Sequence, residues 1–524
     1  MDAVNRLRSA AVLVVLAGSL VAPVPASAAT ESGLGFDLDA ATIPELQQRM
    51  DHGGLTAVRL TTAYLRRIDA VDGKVHSVVA LDPGALRAAA ASDARRRAHH
   101  TLGQLDGIPV LLKDNIDTHA QPATAGSRGL PRSRPAADAA LVDRLQSGGA
   151  VILGKTNLSE WANFRSTHAT SGWSGIGGQT NNPYVLDRNP CGSSSGSGAA
   201  VAATLAQVAI GTETDGSIVC PAGANDVVGE KPTLGLVSRT GVVPISAQQD
   251  TAGPMARHVV DAAVTLSVLQ GRDPADPATA AIPAGQPRDY AALLHPGALR
   301  GARIGVWRLA GLDADVDRVV GDAVRTLTAR GATVVDVDLP YQDQIGAAES
   351  PALLTEFKRD LNAYLTHRPG HPATLDELIA FDRRDPVELS KFGQELFEQA
   401  AVAPSPSDPT YRQQRATATS LAQRSIDETL SRLHLDAIVA PTNSPAWKTD
   451  YAAGDAFVLG SSTPAAVAGY PNVSVPAGFA GPLPIGVSFF AGRWADARVL
   501  AFAAAFEHAA PARRAPAFLP TLGS

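Results

Sequence analysis

Cysteine is nearly absent: Cys191 and Cys220 are the only two in 524 residues. Two thiols are too few for a disulfide scaffold or a thiolate metal centre, which leaves open buried packing or a single bridge in an oxidising compartment. The twelve histidines show no H-E-x-x-H or other clustered ligand pattern. That disfavours metal-assisted hydrolysis, and no metal or cofactor is expected. Strong charge is lacking too: Lys and Arg number 45 against 51 Asp and Glu, a net of −6, which argues against a nucleic-acid partner. Past the N-terminus no segment stays apolar for the roughly 20 residues a spanning helix needs. No internal repeat or low-complexity tract is present.

What is present begins with Arg6 and Arg8, an apolar run over residues 10–22, and Val24-Pro25-Ala26-Ser27-Ala28. This is the pattern of a signal peptide over residues 1–28, with an A-x-A cleavage site after Ala28. Pro23 and Pro25 break the segment where an uncleaved anchor would continue, and Arg6 and Arg8 are not adjacent, as a twin-arginine route requires. The mature chain, 29–524, is therefore expected outside the cytoplasm and off the membrane. Losing Asp2, Arg6 and Arg8 removes a net +1 and takes the formal charge from −6 to −7. Its length ordinarily suggests two domains, although large α/β enzymes can fold as one unit.

Along the chain, Thr42-x-x-Glu45 with Pro44 has the form of a capping box opening a helix to about Met50. A second helix from Thr56, with Val58, Thr61, Leu65 and Ile68 on one face, would complete a helical hairpin on the outside of the fold. The Ala-rich stretch 83–100 reads as a helix, and 108–112 as a short buried strand ending at Lys113. Residues 273–296 read as a connector. A βαβ unit follows: strand 304–307, a helix with Val316, Val319, Val320, Ala323 and Leu327 on one face, and strand 333–337. A long helical region covers 351–433, broken at Pro404 to Pro409. Strands at 436–440, 473–475 and 485–490 precede a last helix over 495–508. The expected class is α/β: a mixed, mainly parallel sheet with helices on both faces.

Between Asn189 and Thr233 the composition changes. Cys191-Gly192-Ser193-Ser194-Ser195-Gly196-Ser197-Gly198 and Gly211-Thr212-Glu213-Thr214-Asp215-Gly216-Ser217 flank one apolar helix. Small residues let backbone approach a ligand closely, and each loop presents serine hydroxyls. A flexible linker would not run straight into a buried Ala/Val helix.

These loops resemble the GSSSG-type and TDGS-type loops of the amidase signature family, which surround a Ser-Ser-Lys triad. The interval of 24 residues from Ser193 to Ser217 matches, and so does Gly107-Ile108-Pro109-Val110-Leu111-Leu112-Lys113-Asp114-Asn115, where the family places its lysine. Asn157-Leu158-Ser159-Glu160-Trp161-Ala162-Asn163-Phe164 and Gly177-Gly178-Gln179-Thr180 are most similar to the peptide amidase branch, which removes C-terminal amides from peptides. The resemblance implies one catalytic domain over 29–524, acting on a small-molecule or peptide amide; it names no partner protein. Broad action on small aryl or alkyl amides is the alternative.

Chemistry supports the same residues. A serine hydroxyl needs a base, and lysine serves only when neutral, which at pH 7.4 costs about 4 kcal/mol for a free side chain. Burial of Lys113 behind its apolar strand lowers that cost. Ser193 would relay a proton from Ser217 to Lys113, and the backbone amides of Thr214, Asp215, Gly216 and Ser217 would hold the oxyanion. Pairing of Lys113 with Asp114 or Asp117 is the bland reading. Asp215 stands where many members carry Gly, so only its backbone is assigned a role. Asp226 and Glu230 also depart from the expected Gly and Leu, and a carboxylate at an apolar core position is costly unless paired.

Gly192-Ser193-Ser194-Ser195-Gly196 also fits G-x-S-x-G, which would make Ser194 the nucleophile of an α/β-hydrolase with His508. That motif demands a strand immediately before it, and Asn181 to Pro190 cannot make one. A binding protein that has lost turnover finds no support, since all three triad positions are intact. A tRNA-dependent amidotransferase subunit shares the motifs, but a secreted chain would not meet its tRNA.

Overall fold

A computed structural model describes residues 33–130, 134–368 and 372–522. The expected signal peptide, 1–28, lies outside the described residues. Among the described residues there are thirteen strands: β1 (Val78–Leu81), β2 (Pro109–Lys113), β3 (Val151–Thr156), β4 (Trp173–Ser174), β5 (Gly178–Gln179), β6 (Val208–Glu213), β7 (Val228–Lys231), β8 (Thr251–Ala256), β9 (Arg303–Val306), β10 (Thr333–Asp336), β11 (Ala437–Pro441), β12 (Asn472–Ala480) and β13 (Leu483–Phe490). Eleven form one sheet in the order β1-β3-β2-β6-β8-β7-β12-β13-β11-β9-β10, and β4 pairs with β5.

The sheet is mixed. Parallel pairing occurs in two blocks, β3-β2-β6 and β11-β9-β10. The βαβ unit read from the sequence supplies part of the second block, its helix Ala314–Ala329 burying Val316, Val319, Val320, Ala323 and Leu327. The strands between the blocks pair antiparallel. β2, β3, β6, β7, β8, β11 and β13 are buried along their whole length, so their side chains have no solvent face to mark.

The capping box at Thr42 forms in full, opening the helix Ile43–Asp51. The second helix is Ala57–Val75, but its buried face runs through Leu60, Thr61, Tyr64 and Ile68, with Val58 and Leu65 only half buried. The two do not make the expected hairpin. The first packs on the helix Val259–Leu269 and the second on Ala85–Arg97, rather than mainly on each other.

The two unexpected carboxylates fare differently. Asp226 has φ 56°, the left-handed region that favours glycine; its carboxylate accepts from Tyr184 Oη at 3.0 Å and from the Arg514 amide at 2.9 Å. Glu230 is fully buried on β7, and neither carboxylate oxygen is hydrogen bonded among the described residues. Burial, reinforced by nearby Asp496, raises its pKa well above the ordinary 4.5. The unfolded chain ionises there first, so stability is lost as pH rises above that value. Glu230→Leu should therefore stabilise the protein by about 1–3 kcal/mol, and by more at pH 8 than at pH 5. Urea unfolding at both pH values checks this, and a variant less stable than the parent at pH 8 contradicts it.

Candidate active site

Parallel pairing places the C-terminal ends of β2 and β6 side by side, with Leu112 opposite Ile210. Lys113 ends β2 and Thr212 lies near the end of β6. Both serine loops gather over this edge, where ligands bind in α/β sheets. The first loop turns through Cys191, Gly192 and Ser193 into the fully buried helix Ser195–Ala202. Glycine is required at 192 because a Cβ there would collide with Ser159 Oγ and lie 2.9 Å from Ser171 Oγ. The second loop leaves β6, turns at Gly216 with φ +79°, and enters the helix Val219–Ala224 after Ser217.

Lys113 and Ser193 are fully buried, whereas Ser217 retains 8% of its surface. Lys113 Nζ donates to Ser193 Oγ at 2.8 Å, Thr212 Oγ1 at 2.8 Å and Thr212 O at 3.2 Å. Burial lowers its pKa to about 7 against the opposing pull of Asp250 and Glu213. At neutral pH a large share of Lys113 is uncharged and can take a proton from Ser193. The acids beside it in sequence are engaged elsewhere: Asp114 accepts from Thr124 Oγ1, and Asp117 from Arg368 Nη1 at 2.8 Å and Tyr364 Oη at 2.7 Å. Lys113 is therefore not the surface ion-pair partner of either.

Ser217 is brought beside Ser193 by the backbone, the Ser194 amide donating to Ser217 O at 3.1 Å. Its hydroxyl makes no hydrogen bond among the described residues; such contacts commonly tighten when substrate binds. The amides of Thr214, Asp215, Gly216 and Ser217 likewise donate to no acceptor among the described residues. The next two amides are taken, Ile218 at 2.7 Å and Val219 at 3.0 Å, both by Glu213 Oε2. A run of unpaired amides at the turn bearing Ser217 suits a developing oxyanion.

Three supporting groups escaped the sequence reading. Glu213 anchors the start of the helix Val219–Ala224. Asp250 accepts from Thr214 Oγ1 at 2.6 Å and from the Ile245 and Ser246 amides at 2.8 Å, and burial lifts its pKa to about 6. Ser462 Oγ donates to Asp215 Oδ1 at 2.5 Å, so the Asp215 side chain braces the loop while its amide stays unpaired. Burial marks the first two, but nothing local announces Ser462.

Ser194 is fully buried and its hydroxyl is spent on the Thr212 backbone, donating to O at 3.1 Å and accepting from N at 3.2 Å. With no strand before the loop, the G-x-S-x-G reading falls. Cys191 and Cys220 are buried and also bonded to each other as a disulfide, which ties the two serine loops together. A cavity of about 620 Å³ lined by His76, Gly178, Gln179, Lys448 and Tyr451 touches none of the triad. Among the described residues no group of His, Cys, Asp and Glu could hold a metal ion.

Residues 59–500 match the family model described as Amidase. A probable amidase of Arabidopsis thaliana is 37% identical over 97% of this chain and 97% of its own length. Native peptide amidase from Stenotrophomonas maltophilia superposes with a TM-score of 0.88 at 48% identity, covering 91% of this chain and 99% of that one. A peptide amidase in complex with the competitive inhibitor chymostatin gives 0.90, 48%, 92% and 100% for the same measures.

Proposed function

Because the chain belongs to the amidase signature family, we propose that Ser217 is the nucleophile that attacks a carboxamide carbonyl. As Ser217 Oγ bonds to carbon, its proton passes to Ser193 and that of Ser193 to neutral Lys113. The four amides at the turn hold the oxyanion. When the C–N bond breaks, Lys113 returns a proton through Ser193 to the departing nitrogen, which leaves as ammonia. Water then repeats the relay on the acyl-enzyme and releases the acid. The observation that carries this assignment is the 2.8 Å contact between buried Lys113 and Ser193.

The proposed enzyme is secreted: residues 1–28 are removed and 29–524 act as a single catalytic domain. The Cys191–Cys220 disulfide supports an oxidising compartment. The proposed substrate is the C-terminal carboxamide of a short peptide, supported by the 48% identity to peptide amidase along nearly the whole chain. Ammonia needs almost no room, and a site closed on the leaving side rejects bulky amines by clash. Mass spectrometry of an amidated tripeptide and its free-acid twin tests the reading. Conversion of amide to acid with no fragments from either peptide is expected. Benzamide turned over far faster than any peptide amide would favour the small-amide alternative.

A further inference from the structure

Phe457 and Val458 are 50% and 57% exposed, the only adjacent pair of strongly exposed large apolar residues among the described residues. Scattered exposed apolar residues need no explanation, but the segment bearing this pair is tied upstream to residues beside the Ser193 loop and downstream to the Ser217 loop. Upstream, the Asp455 carboxylate accepts from the Ser171 amide at 3.0 Å, Ser171 Oγ at 2.5 Å, Asn189 Nδ2 at 3.3 Å and Trp447 Nε1 at 3.2 Å. Ser171 lies against Gly192, and Asn189 leads into the Ser193 loop. Downstream, Ser462 holds Asp215 on the Ser217 loop. The Phe457 ring meets the Trp447 ring edge-on at 5.9 Å, and Trp447 packs with Cys191 and Cys220. A chain of apolar contacts thus runs from the buried disulfide joining the serine loops, through buried Trp447, to the exposed Phe457 side chain.

We propose that Phe457 and Val458 form the wall of an acyl-side subsite that receives an apolar, preferably aromatic, side chain next to the scissile carboxamide. The inference rests on the peptide-amide reading. The wall lies on the acyl side because ammonia on the other side needs no surface. Two side chains held in water by a segment with fixed ends are preorganised, so covering them with substrate gains apolar burial with little ordering cost. Glycine next to the carboxamide would leave the wall wet.

The test is a ratio: kcat/KM for acetyl-Ala-Phe-amide over that for acetyl-Ala-Gly-amide, in the parent and in the double variant Phe457→Ser, Val458→Ser. The ratio should fall about 10-fold, mainly through KM of the Phe substrate, and Phe457→Leu with Val458 intact should keep most of it. Both positions are exposed, and circular dichroism checks that the variants fold. An unchanged ratio, or equal losses on both substrates, overturns the wall. If the parent refuses both peptide amides yet cleaves small amides, the peptide-amide reading falls by itself. The ratio of 3-phenylpropionamide to propionamide then decides the wall by the same criterion.

Discussion

Ser217→Ala should lower kcat by about 10⁴-fold or more while the protein still folds, because the buried hydroxyl makes no hydrogen bond among the described residues. The variant keeps the unpaired amides and the Lys113–Ser193 pair, so it should still bind substrate. What it loses is the atom that forms the acyl-enzyme. In the parent, hydroxylamine should intercept that intermediate and yield a hydroxamate, and the variant should yield none. Ser194→Ala separates this mechanism from an α/β-hydrolase. It removes two hydrogen bonds that fasten the first loop to β6, so it should cost stability and only part of the rate. Parental activity in folded Ser217→Ala, or complete loss confined to Ser194→Ala, would sink the assignment of Ser217.

The residues with which this prediction deals were legible because their chemistry is local. Lys113, Ser193 and Ser217 each sit in a short stretch of unusual composition, and the fold brings Lys113 against Ser193 and ties the Ser217 backbone to that of Ser194. The braces were not legible for the opposite reason: Ser462 reaches Asp215 across 247 residues of chain. The fold divides in the same way. The βαβ unit from Arg303 to Asp336 announces itself through a clear helical face and β-branched strands. The central strands do not. β6, β7 and β8 read VAIGTE, VGEK and TAGPMA, with no alternation, because both faces are buried and close packing admits glycine, proline and even Glu230. Register with neighbouring strands decided these elements, and no window of sequence contains it.

Lys113 is the proposed base. Only its neutral form accepts a proton, so the rate should rise with pH along a midpoint near its pKa of about 7 and level off above it. A free lysine would put that rise above pH 10. Lys113→Ala should lose about 10³-fold or more in kcat. Lys113→Arg should fail as fully, since guanidinium stays charged and cannot take the Ser193 proton. Lys113→Met fits the same slot without a charge and separates catalysis from folding. The native state holds Lys113 with a pKa below that of the unfolded chain, so the unfolded state binds the extra proton. Stability from this group is full above about pH 10.5 and falls with pH towards 7. Lys113→Met should therefore be inactive, and its stability relative to the parent should rise as pH is lowered from 10 to 7. Urea unfolding across that range, paired with the pH profile of kcat/KM, measures both effects. An active Lys113→Arg enzyme, or a parental profile flat between pH 6 and 9, would contradict the role of Lys113 as the base.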